Sequence, residues 1–156
     1  MIPKKQFMEA AIAEALKSKK LGDYAVGCVL VRNDEIIARS GNRTHLDNDP
    51  THHAEMIVIR QAAKELKSKN LSGCTIYVTH EPCPMCSAAT YWARISEIVF
   101  GSTIRDMTSF RKRNGNDRWK WRTIGIGPHR ILARVDAPPV IVGSFMRKEC
   151  NELFHS

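Results

Sequence analysis

Long apolar runs are missing from this chain: no stretch approaches the ~20 residues that a helix needs to cross a bilayer, so no membrane-spanning helix is expected. Lys4 and Lys5 precede an alanine-rich stretch that could suit a signal peptide, but Glu9 and Glu14 interrupt it. Cysteine is scarce and odd in number, with five residues and no disulfide-framework spacing. That argues against a stapled secreted module and for a reducing compartment, so the expected location is the cytoplasm. Internal repeats, low-complexity tracts and a Pro/Gly/Ser-rich linker are absent too, which argues against solenoids and tandem modules. With 156 residues the expectation is one domain over 1–156, long enough to bury ~70% of its unfolded surface. Acidic residues are the minority, 16 against 24 Lys and Arg, for a net charge of +8.

What the chain does hold is His53-Ala54-Glu55, followed by Pro82-Cys83-Pro84-Met85-Cys86. One imidazole and two thiols suit zinc, and a catalytic zinc keeps three protein ligands so that water can take the fourth position. Such a water has a pKa of ~7, and a carboxylate that is not a ligand, Glu55, can then carry protons. Cys83 and Cys86 are three apart, so one turn of chain directs both sulfurs to one point. Pro84 suits the first position of a helix, where its missing N–H is harmless. His53 and Glu55 are two apart and would not share a face in mid-helix. They converge only if the metal sits over an open helix N-terminus, and two such N-termini would also stabilise the thiolates.

The competing reading is a structural zinc knot, which needs a fourth ligand from Cys74 or His80. Cys74 leads into an apolar run and reads as a buried thiol; His80 reads as a hydrogen-bonding neighbour of the metal. His52 lacks a glutamate two positions on, and His45, His129 and His155 stand alone. The ligand set is therefore His53, Cys83 and Cys86, with one zinc per subunit.

Phe7, Met8, Ala11, Ile12, Ala15 and Leu16 recur at helical spacing and predict an amphipathic helix over 4–20. Ala25 to Val31, a turn at 32–35 and Ile36 to Arg39 predict a hairpin with a buried first strand. A polar loop over 42–50 leads to a helix carrying Glu55, with Met56, Ile59, Ala63 and Leu66 as its inner stripe. Residues 75–79 and 98–100 read as strands on either side of the helix bearing the cysteine motif. This order implies an α/β fold, a three-layer α/β/α sandwich with a central mixed sheet. The metal motifs fall where strands hand over to helices.

With these motifs in place, residues about 5–102 resemble the cytidine-deaminase-like superfamily, whose signature is H-x-E followed by P-C-x-x-C. The similarity is to the branch of guanine deaminases, fungal-type cytosine deaminases and tRNA-specific adenosine deaminases. Asn48 to Glu55 is similar to that branch's NDPTAHAE-type segment, departing at His52. Glu81 to Cys86 with Tyr91-Trp92-Ala93-Arg94 looks closest to the guanine deaminases. Val26 to Val31 and Arg147 to Cys150 resemble the tRNA and cytosine types. The lysine-glycine-alanine-rich segment of the tRNA enzymes is replaced by 102–106.

The resemblance implies zinc on His53, Cys83 and Cys86, with Glu55 as the proton shuttle. It further implies that Asn42 orients the base and that the backbone at Ala54 meets the base edge. Trp92 stacks on the pocket or fills the core, and helix 145–154 covers the pocket of its own or a neighbouring subunit. By the same resemblance a homodimer is expected. The function expected first is hydrolytic deamination of a small nucleobase or nucleoside with release of ammonia. The alternative is a tRNA-specific adenosine deaminase, and a remote third reading is a non-catalytic zinc protein that binds nucleic acid. Residues Arg105 to Arg122 hold seven basic and two acidic residues, interleaved with Phe110, Trp119 and Trp121. That mixture suits RNA, but a solvated loop packing its tryptophans over the pocket or a subunit interface is preferred.

Overall fold

The computed structural model describes residues 2–114 and 122–155. Helix α1 spans Lys5–Lys20, and Gly22 (φ 91°) ends its turn into the loop that follows. Strands β1 (Gly27–Arg32) and β2 (Glu35–Gly41) form the expected hairpin. At its tip Asn33 and Asp34 have φ of 51° and 62°. Two consecutive left-handed residues match the twist of the flanking strands, and Asn and Asp tolerate that conformation best after glycine. Helix α2 is Ala54–Glu65, β3 Thr75–His80, α3 Pro84–Trp92 and β4 Glu97–Ser102. Beyond β4 come α4 (Ile104–Asn114), the short α5 (Pro128–Ile131), β5 (Val140–Val142) and α6 (Arg147–Glu152), which runs into a 3-10 turn at Leu153–His155.

The strand order is β2-β1-β3-β4-β5. β1 is antiparallel to both β2 and β3, whereas β4 runs parallel to β3 and to β5. The sheet is therefore mixed, as expected. Its alternation builds two cores. Cys28, Leu30, Ile76, Val78, Ile98 and Phe100 turn to the face covered by Val58 and Ala62 of α2. Val29, Val31, Tyr77 and Val99 turn to the face covered by Phe7, Met8 and Ala11 of α1 and by Cys150 of α6. Helices on both faces complete the three layers, which explains why the central strands read as continuous apolar runs.

Close approach on the α1 face depends on Gly27. A β-carbon there would collide with the backbone of Ala11 and Ala15. Gly101 plays the same part for α6, because Cys150 fills the space a side chain would need. These contacts fix where the strand ends lie. Gly27 pairs with Gly41, its N–H donates to Thr79 Oγ1, and His80 pairs with Ser102. The start of β1 and the ends of β2, β3 and β4 thus gather at one edge of the sheet, the place where α/β proteins expose strand termini to ligands.

Two expectations need correction. Strand β5 was not foreseen, since three apolar residues behind two prolines carry no alternation to detect. The expected loop beginning at Arg105 is helical through Asn114, because Asp106 and Thr103 hydrogen-bond across the first turn and Glu81 accepts the Ile104 N–H. Trp119, Trp121 and the rest of 115–121 lie outside the described residues. No helix among the described residues is long and apolar enough to cross a membrane.

Candidate active site

Two helix N-termini build the site. His53 is the N-cap of α2, with an extended backbone (φ −66°, ψ 150°), and Ala54 and Glu55 are the first helical residues. Cys83 is the N-cap of α3, Pro84 opens that helix and Cys86 lies inside its first turn. The sequence spacing predicted both placements. The first N–H groups of each helix have no acceptor within the helix, so both dipoles bring partial positive charge to the same point. Ala54 is fully buried, and its first-turn amide is of the kind the base-edge expectation requires.

The metal-ligating atoms of His53, Cys83 and Cys86 lie within 4.8 Å of one another. His53 Nδ1 is 3.6 Å from each sulfur. A tetrahedral zinc with Zn–S of ~2.3 Å and Zn–N of ~2.1 Å would hold sulfur and nitrogen ~3.6 Å apart. The three side chains therefore already stand at ligand spacing, and the donor set fits zinc. Among the described residues this is the one such group, and it contains three donors. Cys74 is a fully buried core thiol. His80 Nδ1 shares a 2.6 Å hydrogen bond with Thr79 Oγ1, and its ring packs on Phe154 with centroids 4.8 Å apart. Neither stands in this group, and a three-donor set suits an open catalytic site better than a closed knot.

The electrostatics match that chemistry. Cys83 is held down to about 4 by its hydrogen bonds with Cys86 and His53, and the same pairing pushes the Cys86 thiol up, so the two sulfurs share one readily lost proton. Glu55 is only 4% exposed, and burial pushes its carboxyl up to about 7, with the neighbouring Cys83 adding to the rise. A carboxyl poised near neutrality both takes and gives a proton readily. Burial drives His80 down to about 3, so it is a neutral ring at the end of β3, the strand that delivers the cysteines.

Asn42 is buried directly after β2, and the Arg43 N–H donates to the His52 carbonyl, which runs this strand end alongside the chain entering His53. Its amide donates to Asp23 Oδ1 at 2.7 Å and to Thr44 Oγ1 at 2.9 Å. Sequence reasoning missed Asp23. A lone acidic residue in a turn carries no pattern, and only the fold brings it to Asn42. His52, set aside as a ligand, instead bridges Asp47 (2.8 Å) and Asp49 (3.1 Å) on the loop surface.

Trp92 is a correction. It is 77% exposed at the last position of α3, with its ring against Tyr91, so it is not a core residue. Roughly 13 Å of helix rise separates it from Cys83, too far for stacking over the metal end within the same subunit. The C-terminal segment does reach the site's neighbourhood. Phe154 packs between His80 and Phe110, and Arg147 pairs twice with Asp106, at 2.6 and 2.9 Å, holding α6 to α4.

Residues 1–102 match the model of the cytidine and deoxycytidylate deaminase zinc-binding region. The tRNA-specific adenosine deaminase of Bacillus subtilis is 46% identical over 96 residues, 62% of this chain and 60% of that protein. The chain's match thus spans less than two thirds of that relative's length. A solved structure from a study of A-to-I editing by tRNA:A34 deaminases superposes with a TM-score of 0.80 at 34% identity, covering 96% of this chain and 99% of that one. The guanine deaminase of Bacillus subtilis gives a TM-score of 0.66 at 32% identity, covering 80% and 84%.

Proposed function

Because the chain belongs to the cytidine and deoxycytidylate deaminase zinc-binding family, we propose that it is a zinc-dependent hydrolytic deaminase acting on adenosine in transfer RNA. The observation that carries the deaminase reading is the three-donor set at tetrahedral spacing beside the buried carboxyl of Glu55. The substrate choice reverses the preference drawn from the sequence, which leaned to a free base. It is supported by sequence similarity to the tRNA-specific adenosine deaminase at 46% identity and by the tRNA:A34 deaminase structure, which is similar over almost the whole of both chains at 34% identity.

Zinc held by His53, Cys83 and Cys86 would supply a hydroxide nucleophile at neutral pH. Glu55 takes the proton released by water and delivers it to the ring nitrogen beside the carbon under attack. It then takes the proton of the newly added hydroxyl and passes it to the departing amine, so ammonia leaves and a carbonyl remains. The amide of Asn42 and the first-turn N–H groups at Ala54 hold the base edge, and the helix N-termini favour the negative charge that develops. A base inside a duplex cannot reach such a site, so an unstacked loop nucleotide is the fitting substrate. Exposed Arg111, Lys112 and Arg113 on α4 are suited to phosphates.

Cytoplasmic location fits the five free cysteines, and the homodimer that the resemblance implies belongs to the same reading. The test gives zinc-loaded protein an anticodon stem-loop with an unmodified wobble adenosine and, separately, guanine, cytosine, adenine and their nucleosides. Inosine in the RNA without ammonia from the small molecules is expected. Turnover of a free base with no inosine would overturn the substrate and leave the deaminase reading standing.

A further inference from the structure

Asp23 lies in the loop between α1 and β1 and is completely buried. Burying a carboxylate is costly unless its lone pairs are satisfied, and here they are satisfied without any cation. Oδ1 accepts from the Tyr24 N–H at 2.8 Å and from Asn42 Nδ2 at 2.7 Å. Oδ2 accepts from the N–H groups of His45 and Leu46, both at 3.0 Å. Four accepted bonds use the four lone-pair positions of a carboxylate. Three go to backbone, and two of these, from His45 and Leu46, close the 42–50 loop onto the loop after α1. The fourth goes to the one side chain of this cluster that the proposed function assigns to the substrate.

An ionised carboxylate only accepts hydrogen bonds. It therefore dictates which end of the Asn42 amide faces it: the nitrogen must, and a flipped amide would set oxygen against oxygen. The second Nδ2 hydrogen lies toward Thr44 Oγ1, and the backbone carbonyl of Asn42 accepts from Ser18 Oγ at 2.9 Å, so side chain and backbone are both held. With both Nδ2 hydrogens engaged, the amide is left with its Oδ1 acceptor to present to a base. Reversal would turn the nitrogen to the base and set oxygen against the carboxylate, leaving unmet partners in a buried site.

We propose that Asp23 is a positioning residue for base recognition. Its carboxylate locks the Asn42 amide in one orientation and fixes the loop that runs into the zinc ligand His53. This rests on the reading that Asn42 meets the substrate base.

The test compares wild type, Asp23→Asn, Asn42→Ala and the double variant as full-length zinc-loaded protein. Zinc content and thermal midpoint serve as controls. Asp23→Asn keeps the shape and removes the one-sided acceptor, so kcat/KM on the anticodon stem-loop should fall by ~10–100-fold, the usual cost of losing a supporting contact behind a site. In the Asn42→Ala background the same change should cost less than about twofold, because coupled residues are not additive.

A second readout needs no turnover. The side-chain amide protons of Asn42, assigned by their loss in Asn42→Ala, should exchange slowly with solvent in wild type and fast in Asp23→Asn. If Asp23→Asn does not fold, the exchanged pair Asp23→Asn with Asn42→Asp restores one carboxylate and one amide. It should fold and hold zinc while remaining inactive. Equal penalties for Asp23→Asn in both backgrounds, unchanged exchange, or an exchanged pair that turns over like wild type would each overturn the proposal. If wild type edits no RNA, the substrate reading fails, and amide exchange still decides whether Asp23 holds Asn42.

Discussion

Cys83 and Cys86 do two jobs, and their substitution separates this site from an incidental thiol cluster. Cys83→Ser or Cys86→Ser should lose the one zinc expected per subunit and lower the thermal midpoint, because metal binding to a folded site adds directly to folding free energy. Plasma emission and calorimetry on the same preparation check it, and a variant that keeps full zinc would remove that cysteine from the ligand set. Glu55→Gln should keep zinc and substrate affinity while turnover falls by ~10²–10⁴-fold, the range for a positioned acid–base group. Zinc loss in that variant would make Glu55 a ligand instead. His80 governs stability in acid. Its ring is held neutral down to about pH 3 in the folded protein, whereas an unfolded histidine protonates near ~6.5. Between those values the unfolded chain binds the extra proton, so stability falls as pH drops below ~6.5, by up to ~1.4 kcal/mol per unit. Urea unfolding of wild type and His80→Gln should diverge progressively over that window and run parallel above it. Parallel curves throughout would mean another group sets the acid limit.

At the level of elements, the site depends on how closely α1 lies on the sheet. Gly27 faces the backbone of Ala11 and Ala15 with no space for a methyl group. Gly27→Ala should cost ~1–3 kcal/mol through overpacking, and because Gly27 pairs with Gly41 just before Asn42, activity should fall along with stability. A full thermal midpoint in Gly27→Ala would show that α1 shifts freely. The caps of α2 and α3 were readable from spacing, since H-x-E and P-C-P-x-C converge only at helix starts. Helix α4 was not. Its residues carry no buried apolar stripe, and its first turn is held by Glu81 and Asp106, contacts that a linear pattern does not contain.

For the whole molecule, the surplus of positive charge is the feature bearing on substrate size. Arg111, Lys112 and Arg113 end α4 exposed. Changing all three to glutamine should weaken binding of the anticodon stem-loop and reduce the slope of log affinity against log salt by roughly two units, at ~0.7 per lost phosphate contact on single-stranded RNA. Zinc content should stay the same. An unchanged slope would place the phosphate path elsewhere on the surface.

The amino-acid order pointed on its own to the three side chains placed to hold a metal, the helices that start at them and the alternation that makes a two-faced sheet, with Glu55 as the expected proton carrier. Each rests on spacing along a few residues of chain, where local geometry leaves one solution. Tertiary structure alone decided three matters. It exposed Trp92 at the far end of α3, because whether an aromatic residue is covered depends on which helices lie opposite. It added β5 as an edge strand whose three residues gain meaning only beside β4. And it carried Asp23 from a separate loop to Asn42, because antiparallel pairing of β1 with β2 closes a gap in sequence that no periodicity records.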